Sequence, residues 1–310
     1  MTRDAQAERP LVPEWEQKLA SRGGHPLQSA TWGLLREQLM RTPSLFLEGE
    51  TWMARVERRH LPVVGRMTGD VAWIPRGPAG PSCSAHILDE MAAQLRAQGF
   101  CAFITSGYPN PGTRIDDGAT SLALNLTRGD SALLNDKLRY ASRRAARDGA
   151  SIREEPWAVA EFYAQCMNVA RTKAFELPGS LAIMEGLLDA TPTTVHSHLF
   201  VARLGDDFMA GALIVCCGSS MHYFWGASDR VFSRHLPMEA LQAHIIEWGA
   251  NRGLTAYDLE GIDHVRSPGV ARFKQKLGGD SVSLPPTAAQ SLNWRGKAAV
   301  TAIRLVRSRQ

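Results

Sequence analysis

The stretch from Tyr257 to Gly279, YDLEGIDHVRSPGVARFKQKLGG, decides how this chain is read. It predicts a strand from Thr255 to Leu259, which Gly261 breaks into a polar loop carrying Asp263, His264 and Arg266. A basic segment, Arg272-Phe273-Lys274-Gln275-Lys276, follows, and Gly278-Gly279 turns the chain. An acidic strand end at Asp258 facing cations across a short loop has the make-up of an anion-handling site. The same residues also fit a plainer arrangement, in which Asp258 ends an exposed strand and the lysines solvate a helix.

Working back from this stretch, Pro237 opens a helix that places Met238, Leu241, Ile245 and Trp248 inward and closes at Gly253. Strands precede it at His198 to Leu204, Phe208 to Cys217 and Met221 to Trp225, the first two joined by the turn Gly205-Asp206-Asp207. His196 and His198 share one strand face, a metal-like spacing, but no third ligand follows at useful spacing and no metal is expected. A helix from Ala158 to Thr172 turns Phe162, Cys166 and Val169 inward and ends at Arg171-Thr172-Lys173. Before it, Leu133 to Arg147 repeats Leu134, Leu138, Ala141 and Ala145 at helical spacing, with Lys137, Arg139, Arg143, Arg144 and Arg147 over the remaining surface. This is the densest basic surface in the chain; almost no acidic residues interleave, so phosphate contact stands level with a merely solvated face.

In the first half, Glu14 to Ala20 reads as a short helix. Ser29 then caps a helix presenting Trp32, Leu35 and Leu39, with Arg36 a turn beyond Trp32. Strands are expected at Ser44 to Leu47, Thr51 to Val56, Leu61 to Val64 and Val71 to Ile74, the last running into Pro75-Arg76-Gly77-Pro78. A helix from His86 to Gln98, a buried strand from Cys101 to Thr105 and a strand from Ser121 to Leu126 complete an α+β domain around a mixed sheet. The polar turn Arg128-Gly129-Asp130 sets the boundary near Thr127, and the tail from Ser291 to Gln310 is expected to return to the first domain.

The totals bound the class. At 310 residues two domains fit, and 44% hydrophobic with 21% charged residues describe a globular protein. No apolar run approaches the roughly 20 residues of a bilayer span, and MTRDAQAERP lacks a signal-peptide core, so a cytoplasmic protein is expected. Five cysteines without a C-x-x-C pair suggest neither a disulfide framework nor a zinc knuckle. The net charge of +4 is mild for a nucleic-acid binder, but the cations are concentrated rather than spread.

Several of these segments, in order, resemble the FemABX family of aminoacyl-tRNA-dependent peptidyltransferases. They are the helix start Gln28-Ser29 with Trp32, the Pro75 to Pro78 turn, the segment LRYASRRAARDG (resembling TRYNIRKAEKKG), the YFWGAS segment from Tyr223 to Ser228, the helix start at Pro237, and YDLEG with RFKQKLGG. The chain departs from the family pattern at Ala141, where asparagine is usual, at Trp225, where tyrosine is common, and at Thr105-Ser106-Gly107 before Pro109. These departures bear on acceptor specificity. A long helical insertion is missing, as in compact members.

The resemblance implies an α+β fold of two GNAT-like domains with mixed sheets and no coiled-coil arm: residues 1–126 with 287–310 on the acceptor side, and 127–286 on the tRNA and aminoacyl side. It implies transfer of an amino acid from aminoacyl-tRNA to a free amine of a peptide acceptor, in peptidoglycan precursor or peptide antibiotic synthesis, with no cofactor and a monomeric enzyme. The acceptor is a peptide or muropeptide, phosphate-bearing or carrier-bound. The ester is already activated and the amine is the nucleophile, so no Ser or Cys nucleophile is needed, and no G-x-S-x-G elbow is present. By the same resemblance Phe273 and Lys274 attend the tRNA acceptor end, and Tyr223 and Trp225 line the channel. Arg36, with Arg171 or Lys173, meets the acceptor's phosphates. Asp258 orients the amine or takes its proton, with substrate-assisted transfer the competing route. Lys137, Arg139, Arg143, Arg144, Arg147, Arg272 and Lys276 supply the tRNA contact. Two rivals stand: an acyl-CoA-dependent GNAT N-acyltransferase, for which Arg66 to Val71 is the nearest pyrophosphate-loop candidate though it ends wrongly, and a non-catalytic RNA-binding protein.

Overall fold

The computed structural model describes residues 9–62, 68–81, 85–127, 129, 133–173, 176–177, 179–265 and 267–307. Two compact units emerge, Met1–Ala119 with Ser283–Gln310, and Thr120–Val282. Among the described residues no helix is long and apolar enough to cross a membrane.

In the first unit, α1 (Val12–Ser21) and α2 (Ala30–Met40) precede an antiparallel meander of β1 (Ser44–Glu48), β2 (Met53–Pro62) and β3 (Thr68–Ile74). The Ser29 hydroxyl accepts from Trp32 N–H and starts α2 as its spacing predicts. A helix, α3 (Ala85–Ala97), then carries the chain to β4 (Ala102–Thr105), parallel to β3, because a parallel pair needs a crossover. The short β5 (Thr113–Arg114) closes the far edge, with β13 (Ala288–Ser291) inserted between β4 and β5. On one face Trp52, Ile74, Met91, Leu95 and Phe103 form the core. On the other, α9 (Trp294–Arg307) packs Ala299 and Val300 against Val71 and Ile104. Gly296 allows this approach, since a Cβ there would lie 1.8 Å from the Cys101 carbonyl oxygen.

The second unit holds β6 (Ala119–Asn125), α4 (Asp136–Arg147), β7 (Ala150–Glu154), α5 (Val159–Lys173) and α6 (Leu181–Asp189). Then come β8 (Val195–Leu204), β9 (Asp207–Cys217), β10 (Ser220–Ser228), α7 (Pro237–Asn251), β11 (Ala256–Ile262), α8 (Pro268–Leu277) and β12 (Asp280–Leu284). Strand order is β12-β6-β11-β10-β9-β8-β7. The run from β7 to β10 is an antiparallel meander, and α7 makes the crossover to β11, parallel to β10. Small residues let α4 and α7 approach: Ala141 and Ala145 meet Ala240.

Several expectations change. The division falls before Thr120 rather than near Thr127, because β6 pairs with β11 in the second sheet, and it returns at 282/283 rather than 286/287. Thr51 to Val56 and Leu61 to Val64 are not separate strands: β2 is continuous to Pro62, and residues 63 and 64 lie outside the described residues. So do Arg128 and Asp130 of the expected boundary turn, Arg266 of the polar loop, and Arg66 and Met67 of the pyrophosphate-loop candidate, whose later residues Thr68 to Val71 begin β3. The C-terminal tail is both a strand and a helix, while α6 and β12 had no expected counterpart.

One buried amide interlocks two segments that are distant in sequence. Gln28, fully buried, accepts from Arg55 N–H at 2.8 Å and donates to the Pro75 carbonyl at 2.6 Å, while Gly77 leaves it room. Gln28→Ala would strand an N–H and a C=O away from water, a loss of about 2–4 kcal/mol. It should lower the urea midpoint of unfolding accordingly with an unchanged slope; an unmoved midpoint would show that the bridge carries no stability.

Candidate active site

The site begins where two parallel strands part. β10 and β11 pair from Ser220 opposite Ala256 only as far as His222 opposite Asp258, although both strands continue beyond. Each is irregular at this level: β10 shifts register against β9 between Tyr223 and Trp225, and β11 against β6 between Asp258 and Gly261. Bulges bend strands and end pairing, so two at one height open a notch in the sheet. Glu260 sits there at φ 61, a left-handed conformation uncommon outside glycine. Asp258 holds it, one carboxylate oxygen accepting from Glu260 N–H at 2.7 Å and from the Ser121 hydroxyl. Asp258 is therefore a brace of the bulge.

Beneath the notch α8 returns Lys274, 7% exposed. Its ammonium donates to the Gly261 carbonyl at 2.9 Å and lies 5.8 Å from the centre of the Tyr223 ring. Burial lowers its pKa below that of an ordinary lysine, and the nearby Glu260 and Asp258 carboxylates push it partly back up. Glu260 in turn lies 2.9 Å from Nδ1 of the buried His222. Tyr223 is buried with its hydroxyl 3.8 Å from the Met238 sulfur at the start of α7, and burial raises its phenol well above the usual range. Gly226 makes this pose possible, because a Cβ there would stand 1.7 Å from the Tyr223 hydroxyl. In the YFWGAS segment the glycine and the first aromatic are thus one device.

The notch gathers Asp258, Lys274 and Tyr223. Trp225 is also buried and faces Gly179, where a Cβ would come within 2.8 Å of its ring. Phe273 turns elsewhere: it is half-buried and packs against the unit's apolar core, a consequence of the roughly 100° helical step that separates neighbours on α8. His222, Glu260 and Ser121 were missed by sequence reading. Glu260 had a legible signal, being two residues beyond Asp258 on one strand, whereas His222 and Ser121 come from other strands.

Of the helical cations, Lys137, Arg143 and Arg147 are exposed. The few acidic residues expected near α4 are Asp136, which reaches Arg139 at 2.7 Å, and Asp148, 3.7 Å from Arg144. Arg272 and Lys276 are exposed on α8, and Arg171 and Lys173 at the end of α5. Arg36 belongs to the first unit, where its guanidinium is 3.0 Å from Glu57, a carboxylate shared with Arg55 and Arg59. Among the described residues, three guanidiniums gather around that one carboxylate.

Comparison with known proteins fits this architecture. An acetyltransferase (GNAT) domain family matches residues 134–275. Lipid II:glycine glycyltransferase of Staphylococcus aureus is 33% identical over 57 residues, a segment spanning 18% of this chain and 14% of that protein. Crystalline FemX superposes with a TM-score of 0.78 at 14% identity, covering 96% of this chain and 98% of that one. L-PGS from Bacillus licheniformis gives 0.60 at 14% identity, covering 98% of each. The chain thus has a FemX-like α+β fold along its length, and the GNAT match lies in the unit that carries the notch.

Proposed function

We propose that the chain is a non-ribosomal aminoacyltransferase, moving an amino acid from aminoacyl-tRNA to a free amine of a peptide acceptor with formation of an amide. The observation that carries this reading is Lys274: a buried cation held under a gap between two strands. The glycyl transfer to lipid II named for the Staphylococcus aureus relative supports a muropeptide as the acceptor. A peptide of antibiotic type is the other acceptor of the same chemistry.

In this reading the acceptor amine attacks the ester carbonyl carbon, a C–N bond forms, and the carbonyl oxygen becomes an oxyanion. Collapse breaks the C–O bond to the terminal ribose, which leaves as a hydroxyl carrying the proton lost by the amine. Lys274 contributes a fixed positive charge where negative charge develops, and in a poorly solvated notch that charge acts strongly. Asp258, committed to the bulge, positions Glu260 and Gly261, and the proton passes through the substrate. The exposed Lys137, Arg143 and Arg147, with Arg272 and Lys276, suit the tRNA phosphates. Arg36 in its cationic cluster suits a phosphate on the acceptor. No cofactor is needed, because the donor ester is already activated.

The GNAT match gives a second reading some support, an acyl-CoA donor at the same notch. Incubation with charged total tRNA and free-amine acceptors, read by mass spectrometry, separates the two. An amide product abolished by ribonuclease is expected; a product formed only with acetyl-CoA, or RNA retention with no product, would overturn the proposal. Lys274→Ala should slow single-turnover amide formation by roughly tenfold or more with the fold intact. Asp258→Asn, which keeps an acceptor oxygen for the bulge, should stay close to the parent rate; a fall as deep as in Asp258→Ala would make Asp258 the base.

The rate also carries a sign in pH. Burial shifts Lys274 below an ordinary lysine, so its ammonium is lost as pH rises through that lowered value. The alkaline limb of single-turnover rate should therefore fall below the range of a solvent-exposed lysine, and Lys274→Met, slow at every pH, should lack that limb.

A further inference from the structure

The three donor residues in question lie on β8 and β9 and take no part in the notch. His196 and His198 alternate onto one face of β8, and β9 places Cys216 directly opposite His196. One donor atom from each residue lies within 4.8 Å of the others. The sequence expectation of no third ligand is thus corrected by strand pairing: Cys216 is distant along the chain and adjacent across the ladder.

The surroundings are those of a ligand set. His198 Nδ1 is 2.6 Å from the Glu154 carboxylate, and His196 Nδ1 is 3.3 Å from the Thr193 carbonyl. Outer acceptors on both Nδ1 atoms hold the proton there and leave a lone pair on each Nε2. The Nε2 of His198 is sealed from solvent with no hydrogen-bond partner. Trp248 packs edge-on against that ring at 4.6 Å. Burial, then the neighbouring His198, lowers the pKa of His196.

We propose that His196, His198 and Cys216 bind a zinc ion. Tetrahedral Zn–N and Zn–S bonds require donors about 3.3–3.6 Å apart, so side-chain rotation closes the remaining gap. Thiolate and imidazole together favour zinc over the harder cations. Burial pushes the Cys216 thiol up to about 12, so the metal-free residue is protonated. On binding, its S–H bond breaks, the proton goes to bulk water and a Zn–S bond forms. Thiolate and Glu154 then set two negative charges against the dication, while Arg252, stacked on Trp248 at 4.4 Å, adds one positive charge nearby.

The test uses the purified full chain, freed of metal by chelator dialysis and titrated with zinc by calorimetry and with cobalt by absorbance. One equivalent should bind, zinc should raise the thermal midpoint, and cobalt should give a thiolate-to-metal charge-transfer band. Cys216→Ser should abolish that band and weaken zinc by a hundredfold or more, as should His198→Gln. Glu154→Gln should weaken zinc by roughly tenfold or more. Cys166→Ser, which alters a buried thiol outside the cluster, should change nothing. If Cys216→Ser does not fold, His198→Gln decides. Absence of saturable one-to-one binding, or zinc affinity preserved in the folded variants, overturns the site.

Discussion

A parallel strand pair that stops halfway is the constraint on which the second unit turns. Hydrogen bonding between β10 and β11 ends at His222 and Asp258, and the two bulges keep the strands from closing again. An interrupted ladder inside a sheet leaves backbone polar groups that need partners. The chain answers with side chains: Lys274 takes the Gly261 carbonyl, and Asp258 takes the Glu260 N–H. Polarity at the centre of an otherwise apolar unit is thus a result of topology. It is also why a cation can be held there in a poorly solvated setting.

The same logic, buried polar groups tying separate segments, recurs in the first unit without a notch. Gln28 joins the start of α2 to β2 and to the Pro75 turn, and Arg55, wholly buried, gives its guanidinium to Leu27, Ser44 and Glu57. Burial draws the Arg55 pKa down and Glu57 pushes it back, so removing Glu57 would leave an unbalanced charge in the core. Where the second unit spends its polarity on an opening, the first spends it on register.

Charge on the surface is graded rather than uniform. On α4 two of the five cations have carboxylates in reach, while Lys137, Arg143 and Arg147 stay exposed. Exposed pairs of this kind are worth little to stability, so the helix is held by its apolar stripe of Leu138, Ala141 and Ala145 and by the Asn135 cap. Its cations are therefore not what holds the helix in the fold.

Much of the fold was legible in sequence because it is locally encoded. Helical spacing marked α2, α4 and α7, the Ser29 cap was read correctly, and the YDLEG and RFKQKLGG segments pointed to the strand and helix that build the notch. Residue order could not supply facts that depend on which strands become neighbours. It placed β6 in the wrong unit, missed His222, Glu260 and Ser121, paired Phe273 with Lys274 when one helical step separates their faces, and overlooked Cys216 beside His196. Periodicity and capping are short-range and belong to the sequence; a site is a convergence of side chains, and hydrogen bonding between strands far apart in the chain decided which ones met.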